Sequence, residues 1–311
     1  MLGPILYSMY TAPLADVVNK HGMNYHFYAD DSQIFLSFKP KDPGEPILSK
    51  ARVESCIQDI IQWMITNKLM LNHEKTELLI LHARHRPPPT LDSILVGSKT
   101  IHVSKSAKNI GIWFDTVMSM DKQIANICKS SFYHLRNIAK ISKFISSRHC
   151  ETLIHAFVTS KIDHCNSLLS GLNQNQIQKL QYVQNSAARL LTGTRKQEHI
   201  TPILKKLHWL PVTARIRFKI LLMTFKCLNL LAPRYLTDLL TAYKPPRSLR
   251  SSTKHLLVQP RYNLKTYGAR AFSVAAPSLW NALPLDIRNC KNITTFKSAL
   301  KTHLFKKYFE F

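Results

Sequence analysis

Two short apolar stretches that meet at a pair of adjacent aspartates decide much of what the start of this chain can form. The segment Tyr25–Leu36 reads YHFYADDSQIFL, with aromatic residues alternating along its first half and apolar residues returning at Ile34. Alternation of aromatic and β-branched residues is typical of strands, and aspartate tolerates the backbone angles of tight turns. The segment therefore predicts two antiparallel strands with Asp30 and Asp31 in a two-residue hairpin loop.

Asp30 and Asp31 leave two interpretations open. Carboxylates at an exposed turn stay ionised and offer the oxygen ligands that Mg²⁺ prefers. Paired metal ions about 3.5–4 Å apart serve the in-line phosphoryl displacement of polymerases and nucleases, and such a site normally takes a third carboxylate from elsewhere. The alternative is a solvated loop whose side chains bond only to the local backbone.

The string Phe27–Asp31, FYADD, resembles the Tyr-x-Asp-Asp motif of reverse transcriptases. Two later strings follow in the order found in one family, the LINE-type (non-LTR) reverse transcriptases of the jockey-like and chicken-repeat groups. Leu69–Thr76 is similar to that family's Leu-x-Leu-Asn-x-x-Lys-Thr palm motif, and Lys108–Asp115 is similar to its primer-grip-side motif, Lys-x-Leu-Gly-x-x-Phe-Asp. Leu2–Pro4 resembles the end of the Gln-Gly-Ser-Val-Leu-Gly-Pro stretch that precedes these motifs.

The resemblance extends to the second half of the chain through Val183–Leu191, His208–Val212 and Ser278–Pro284. It implies an α+β fold: a partial reverse-transcriptase palm, an antiparallel sheet with helices, over residues 1–116. A helical thumb-like region over 117–172 and a basic helical carboxyl-terminal region over 173–311 would follow. The family's fingers and third catalytic aspartate would lie upstream of this chain.

By the same resemblance, the activity is RNA-directed DNA synthesis on an RNA template with a DNA primer and deoxynucleoside triphosphates. Asp30 and Asp31 would hold Mg²⁺ while the primer 3′-oxygen attacks the α-phosphate of the incoming nucleotide. Lys75 would neutralise or protonate the leaving pyrophosphate, although a lone lysine is ordinarily a solvated surface residue. Tyr28 and Gly111, within the palm motifs, would contact nucleic acid.

Helical spacing of apolar residues predicts a series of helices. They are expected from about Leu6 to a stop at His21-Gly22, then over Ile47–Asn67, Asp121–Phe144, Arg148–Leu169, Asn173–Gly193, Val212–Leu231, Ala269–Leu279 and Thr295–Phe309. Strands are expected at Leu78–Leu81, Ser93–Val96, Thr100–Val103 and Lys108–Asp115, the last with Gly111 where a strand approaches another backbone. The stretch Tyr243–Ser252 is expected to be a basic linker.

The positive charge is concentrated in the second half of the chain. From Asn166 onward, 24 lysines and arginines stand against four acidic residues, whereas residues 1–165 hold 19 basic and 14 acidic residues. A sequence pI near 10 together with 45% hydrophobic residues describes a folded protein that binds polyanions rather than a disordered basic tail.

One group of basic residues is expected to follow nucleic-acid phosphates with salt-sensitive affinity. The alternative is that these charges only solubilise helices, a role that mixed signs would fill equally well. The group consists of Arg189, Arg195, Lys196, Lys205, Lys206, Arg215, Arg217 and Lys219.

The six cysteines show no CxxC spacing, which favours a reduced, intracellular chain over a disulfide framework. The sequence also lacks a basic stretch before an apolar run at its start, an uninterrupted apolar run of membrane length and a lipid-anchor motif. We therefore expect no secretion, no membrane partner, and nuclear or cytoplasmic residence.

Two functions stay open. The first is a fragment of an RNA-directed DNA polymerase, for which we expect little or no polymerisation by this chain alone because Asp30 and Asp31 lack their third carboxylate. The second is a catalytically inactive nucleic-acid-binding remnant of a mobile element.

Overall fold

The computed structural model describes residues 2–39, 42, 44–245, 254–264 and 266–310. It has an α+β fold, as the sequence predicts, in which helices accompany two-stranded antiparallel sheets. Contacts divide the chain into two units, Met1–Gln123 and Ile124–Phe311. The three-region division into palm, thumb and basic region stays a prediction.

The first unit contains helices α1 (Gly3–Thr11), α2 (Leu14–Lys20) and α3 (Glu45–Thr66), and α4 (Asp121–Ile141) begins at its end. The predicted helix near the start is in fact two helices, with Ala12 and Pro13 between them. A proline has no N–H for a helical hydrogen bond and clashes with the preceding turn, so Pro13 ends α1 and precedes α2. The predicted stop at His21-Gly22 and the predicted helix α3 are confirmed.

The first hairpin consists of β1 (Asn24–Tyr28) and β2 (Asp31–Phe35) and covers the core of the first unit. Its inward side chains Tyr25, Phe27 and Ile34 pack against a buried cluster from α2, α3 and the residue before β1, with the Tyr25 and Phe27 rings stacked 4.7 Å apart. A lone hairpin is marginally stable in water, so this packing anchors it. The buried cluster consists of Leu14, Val18, Met23, Cys56 and Ile60.

Cys56 is one of six cysteines, all of them free thiols. Its side chain is fully buried in this core, and burial, assisted by the charge of Asp59, raises the pKa of its thiol to about 11. A thiol held protonated in this way is a packing residue rather than a nucleophile or a metal ligand.

Two further hairpins complete the strands of the described first unit. Strands β3 (Ser93–Val96) and β4 (Lys99–His102) form one, and their prediction is confirmed. Strands β5 (Ser106–Asn109) and β6 (Ile112–Asp115) form the other. The single strand predicted over Lys108–Asp115 is therefore wrong, because the chain reverses at Ile110 and Gly111.

The strand predicted at Leu78–Leu81 is also wrong. Leu78 makes one isolated parallel bridge to Val103, and the three residues after it belong to no helix or strand. The apolar run matched a strand in composition, but one bridge is too little pairing to form a ladder. Residues 79–81 instead lie half-buried or exposed beside the hairpins.

The turn between β5 and β6 places a β-branched residue in an unfavourable conformation. Ile110 and Gly111 both have positive φ angles, of 45° and 79°, as in a type I′ turn. Ile110→Asn should therefore stabilise the first unit by about 1 kcal/mol, because asparagine adopts this conformation with less strain. Urea unfolding of the variant should show a higher midpoint, and Gly111→Ala, which adds a Cβ at positive φ, should lower it.

Asp115 organises the loop that leads from β6 into α4. Its carboxylate accepts hydrogen bonds from the N–H groups of Val117 at 3.2 Å, Ser119 at 2.8 Å and Met120 at 2.7 Å, and from the Ser119 hydroxyl at 3.1 Å. Met120 is fully buried although its φ is 63°. The aspartate therefore holds an otherwise strained loop in place.

Helices make up most of the described second unit. The predicted helix after Asn173 is confirmed at both ends: the Asn173 side chain accepts from the Gln176 N–H at 2.9 Å, and Gly193 closes the helix with a φ of 68°. The helices are α5 (Ser147–Ile154), α6 (Ser160–Asp163), α7 (Gln174–Thr192), α8 (Thr201–Lys206), α9 (Val212–Leu228), α10 (Arg234–Thr237), α11 (Phe272–Asn281), α12 (Leu285–Arg288) and α13 (Ile293–Phe309).

The region predicted as one helix over Arg148–Leu169 is interrupted. A wide π-helical turn, His155–Thr159, separates α5 from α6, and Cys165 then adopts a φ of 51° before a short 3₁₀ turn at Asn166–Leu169. The spacing of apolar residues did not reveal this interruption, because Ile154, Val158 and Ile162 remain buried across it. The short helices α8, α10 and α12 were not predicted.

The main core of the second unit lies between α9, α11 and α13. Phe296 of α13 is fully buried, with its ring 4.3 Å from that of Phe225 and 5.9 Å from that of Trp280. The Trp280 indole N–H donates to the carbonyl of His255 at 2.9 Å, which satisfies its polar atom. This core fixes α9 and α13, the helices that carry several of the basic residues.

Part of the predicted basic linker, residues 246–252, lies outside the described residues.

Within the described ranges, no helix combines the length and apolar character needed to cross a bilayer.

Candidate metal and nucleic-acid site

The paired aspartates lie at the tip of the first hairpin, but the two-residue loop begins one position earlier than predicted. Tyr28 pairs with Asp31, so the two-residue loop consists of Ala29 and Asp30, and Asp31 is the first residue of β2. The predicted loop of Asp30 and Asp31 is therefore wrong. Ala29 takes a φ of 52°, as the first loop residue of a type II′ turn does.

Tyr28 and Asp31 lie on the face of the hairpin that points away from the core. Tyr28 is 65% exposed, and Asp30 and Asp31 are also exposed. Since β1 and β2 present Tyr25, Phe27 and Ile34 inward, their alternate residues face outward. The two carboxylates therefore stand free of the core on a hairpin whose other face is anchored.

The donor set fits Mg²⁺ in type. Magnesium is commonly held by one or two carboxylates together with waters and phosphate oxygens of a substrate, and Asp30 and Asp31 offer such carboxylates. Over the described ranges, no group of three or more histidine, cysteine, aspartate or glutamate side chains is placed to hold a metal ion. The Mg²⁺ site at Asp30 and Asp31 stays a prediction.

Hydrogen bonds connect the three segments that carry the palm-like motifs. The Asn109 amide donates to the Gln33 side-chain oxygen at 2.9 Å, which joins the β5–β6 hairpin to β2. The Lys108 N–H donates to the Glu77 carboxylate at 3.0 Å, which joins the same hairpin to the segment after Lys75. Residues far apart in sequence are thus neighbours in the first unit.

Gly111 and Lys75 both lie on the surface of the first unit. Gly111 is exposed in the turn directly after Asn109 and Ile110. Lys75 is exposed in a turn that the Asn72 side chain stabilises by accepting from the Lys75 N–H at 3.3 Å. Their roles with primer and nucleotide stay predictions.

Two of the predicted phosphate-binding arginines are used inside the second unit. The Arg189 guanidinium donates to the carbonyls of Arg195, Lys196 and Glu198 at 3.2, 3.3 and 2.8 Å. The Arg215 guanidinium donates to the Asp163 carboxylate at 2.7 Å and to the Leu210 carbonyl at 2.9 Å. These contacts give both residues a structural task that helical spacing did not reveal.

Arg189→Lys should separate the structural from the electrostatic role of this residue. Lysine keeps the charge but lacks the planar fork that serves three carbonyls, so amide hydrogen exchange in residues 194–199 should quicken by about tenfold. Affinity for a short RNA should change by less than about twofold, because the charge is retained. Unchanged exchange alongside weakened RNA binding would contradict the structural role.

The other basic residues of the predicted phosphate-binding group differ in how accessible their charges are to a ligand. Arg217 lies over the Tyr308 ring at 5.9 Å, and burial raises the pKa of Tyr308 while the Arg217 charge opposes that shift. Lys219 is half-buried beside a cavity. The exposed members of the group are Arg195, Lys196, Lys205 and Lys206.

The second unit brings together at that cavity a set of side chains that no pattern in the sequence indicates. Asp163, His208, Arg215 and Lys301 come from α6, from a loop and from two other helices, yet they line one space. Only the helix packing joins residues separated by so much sequence.

Comparison with known proteins found no match to this chain among protein-family models, curated proteins or solved structures.

Proposed function

We propose that this chain is the palm-containing part of a LINE-type RNA-directed DNA polymerase, with Asp30 and Asp31 as ligands for Mg²⁺. One observation carries the proposal: the exposed Tyr28-Ala29-Asp30-Asp31 hairpin tip belongs to the same unit as the Lys75 and Gly111 segments, joined through Gln33, Asn109 and Glu77. A chance Tyr-x-Asp-Asp match would require none of these connections.

In this proposal, the anchored hairpin fixes the direction of the two carboxylates before substrate arrives. Bound Mg²⁺ would supply charge stabilisation for phosphoryl transfer to a primer 3′-oxygen. Tyr28, on the same exposed face as Asp31, would contact the nucleic acid near that end. Lys75 would stabilise negative charge on departing pyrophosphate.

The first test measures metal and nucleotide binding directly. Titration of Mn²⁺, observed by electron paramagnetic resonance with a deoxynucleoside triphosphate present, should show a site on the full chain. Asp30→Asn with Asp31→Asn should weaken it at least about tenfold, because two anionic ligands become neutral. The matched control, Asp16→Asn with Asp92→Asn, removes the same charge at exposed positions elsewhere in the first unit, and equal weakening in both variants would contradict the proposal.

Primer extension on an RNA template is the companion test. We expect little or no extension by this chain alone, because two carboxylates leave the metal coordination short of a ligand. If the unaltered chain extends the primer and the double aspartate variant does not, the two carboxylates are enough for catalysis without a third.

A second candidate function, nucleic-acid binding without catalysis, is favoured by the charge excess after Asn166. On this account, affinity for a single-stranded RNA should fall steeply as salt rises, since bound phosphates release counterions. Filter binding across a salt series measures this, and a flat response would contradict it. Nuclear or cytoplasmic residence stays a prediction.

A further inference from the structure

Aromatic side chains from α4, α7 and the π-helical turn between α5 and α6 line one exposed surface of the second unit. On one flank of α4, the Phe132 ring lies 5.8 Å from that of Tyr182 on α7. On the other flank, the His134 ring stacks at 5.1 Å against that of Phe157 in the π-helical turn. Tyr133 projects between these two pairs, with its ring 5.4 Å from that of His134. We call these five residues the α4–α7 aromatic surface.

The rings at the centre of this surface face solvent rather than a core. Tyr133 is 57% exposed and Tyr182 is 54% exposed. Helix α4 buries Ile127, Leu135 and Ile138, and at 100° per residue Tyr133 points to the opposite side of the helix. Exposed apolar groups that adjoin one another mark surfaces that bind a partner.

Three basic residues share the exposed face of α4 with Tyr133. Lys129 lies four residues before Tyr133, and Arg136 and Lys140 lie three and seven residues after it, which is the spacing of one helical face. All three are exposed, and over the part of the chain that the structure describes none of them makes a salt bridge. At the helical rise the three charges extend over about 16 Å.

Helix α7 adds a further charge beside the rings. Lys179 precedes Tyr182 by three residues, so the two side chains lie on the same side of α7. Burial raises the pKa of the Cys128 thiol on α4, and the charge of Lys179 opposes that shift. Lys179 therefore lies next to α4, and basic residues border the rings on both helices.

Negative charge is scarce in this part of the unit. Residues 124–182 contain seven lysines and arginines but only two acidic residues, Glu151 and Asp163. The Glu151 carboxylate contacts His155 at 3.5 Å, and the Asp163 carboxylate accepts from Arg215 at 2.7 Å. Both carboxylates are thus engaged, and the charge of the surface is complementary to a polyanion.

Cations beside exposed rings match a single-stranded nucleic acid in both of its parts. Its phosphates attract lysine and arginine, and its unpaired bases offer flat faces that stack on aromatic side chains. A duplex supplies the phosphates but keeps its base faces stacked on one another. It would therefore leave Tyr133 and Tyr182 without a contact suited to their rings.

We propose that the α4–α7 aromatic surface binds single-stranded RNA. Tyr133 and Tyr182 stack on unpaired bases. Lys129, Arg136 and Lys140 contact the phosphates. The proposal rests on the proposed nucleic-acid function and deepens it, because the RNA template is the strand of the proposed reaction that arrives unpaired.

The first test removes the rings and keeps the charge. Binding of a labelled decauridine to the full chain is measured by fluorescence anisotropy across a salt series. Tyr133→Leu with Tyr182→Leu should weaken binding by about tenfold without changing the salt dependence, because stacking is lost and the phosphate contacts remain. Tyr133→Phe with Tyr182→Phe should retain binding. The matched control, Tyr235→Leu with Tyr243→Leu, removes two exposed rings elsewhere in the second unit and should weaken binding by less than about twofold.

The second test removes charge and keeps the rings. Lys129→Gln with Lys140→Gln should reduce the slope of log affinity against log salt by about 1.4, since each phosphate contact of a single strand contributes about 0.7. Lys291→Gln with Lys297→Gln removes the same charge at exposed positions away from the surface and should leave the slope unchanged.

Several outcomes would overturn the proposal. The stacking role fails if the leucine variant and its control weaken decauridine binding equally, or if the leucine variant weakens binding of an RNA duplex of the same length as much. An unchanged slope in the Lys129 and Lys140 variant would overturn the phosphate contacts. A dimer of the unaltered chain in sedimentation, lost in the leucine variant, would assign the surface to a second copy of the chain instead.

Failure of this proposal is distinguishable from failure of the proposed function. Absence of Mn²⁺ binding at Asp30 and Asp31 would remove the polymerase proposal without affecting the decauridine results. A flat salt response of the unaltered chain would remove the nucleic-acid function itself. Steep, salt-sensitive binding that is the same in every variant would keep that function and remove only this surface.

Discussion

Phe296→Ala should lower the free energy of unfolding of the second unit by about 4 kcal/mol, the largest stability effect we expect from one substitution in this chain. Phe296 is fully buried between Phe225 and Trp280, so removing its ring leaves a space lined by two other large aromatic side chains. Rigid rings cannot collapse into such a space as flexible side chains do, which places the effect in the upper part of the usual range.

Amide hydrogen exchange, followed by mass spectrometry of peptides from α9 and α13, is the appropriate measurement. Protected amides should exchange up to about a thousandfold faster in the variant if they open through global unfolding of this unit. Phe144→Ala is the matched control, because Phe144 is 85% exposed and the same atoms are removed at the surface. Similar exchange in both variants would show that the aromatic cluster does not stabilise the unit.

Asp115→Ala should destabilise the first unit by about 3 kcal/mol, since hydrogen bonds to a charged acceptor contribute more than neutral ones. The substitution removes the acceptor for three backbone N–H groups and one hydroxyl at once. Met118 and Met120, with φ angles of 51° and 63°, would lose the contacts that hold this loop in an unfavourable conformation.

Urea unfolding, read from exchange in peptides of β6 and the start of α4, measures the effect of Asp115→Ala. The stability of Asp115→Asn should fall between that of the unaltered chain and that of Asp115→Ala. The asparagine amide oxygen still accepts a hydrogen bond, but the negative charge is lost. Glu74→Ala removes a carboxylate that is 86% exposed, 3.8 Å from Lys99, and should change stability by less than about 0.5 kcal/mol. A change as large as that of Asp115→Ala would mean that charge alone, not the loop, sets stability.

The ends of an element were predicted correctly where the sequence carries a local signal for them. Helix α7 begins and ends where Asn173 and Gly193 indicate, because a capping side chain and a glycine at positive φ act within one turn. Gly111 was recognised as special, yet its turn was missed because the residue before it, Ile110, is a β-branched residue that rarely adopts positive φ.

The hairpin register shows a limit of periodicity. Placing Asp30 and Asp31 in the loop would pair Phe27 with Ile34, whereas the structure pairs Phe27 with Ser32 and Tyr25 with Ile34. Both registers keep the same side chains inward, because partners shift by two residues and a face repeats every two. Apolar alternation therefore cannot distinguish them.

Contacts between distant residues were beyond any pattern along the chain. Arg189 and Arg215 were expected to bind phosphates, but their guanidinium groups donate to the carbonyls of residues 195, 196 and 198 and to the Asp163 carboxylate. The motifs predicted which residues carry the proposed chemistry. The tertiary structure determines which charges are left over for a ligand.

The wide turn His155–Thr159 changes the phase of the helix that contains it. A π-helical turn contains one residue more than an α-helical turn, which rotates everything after it by about 100° relative to an unbroken helix. Asp163 lies after this turn and meets Arg215. Loss of a single codon within residues 155–159 would thus redirect Asp163 without changing that residue itself, so the length of this segment matters as much as its composition.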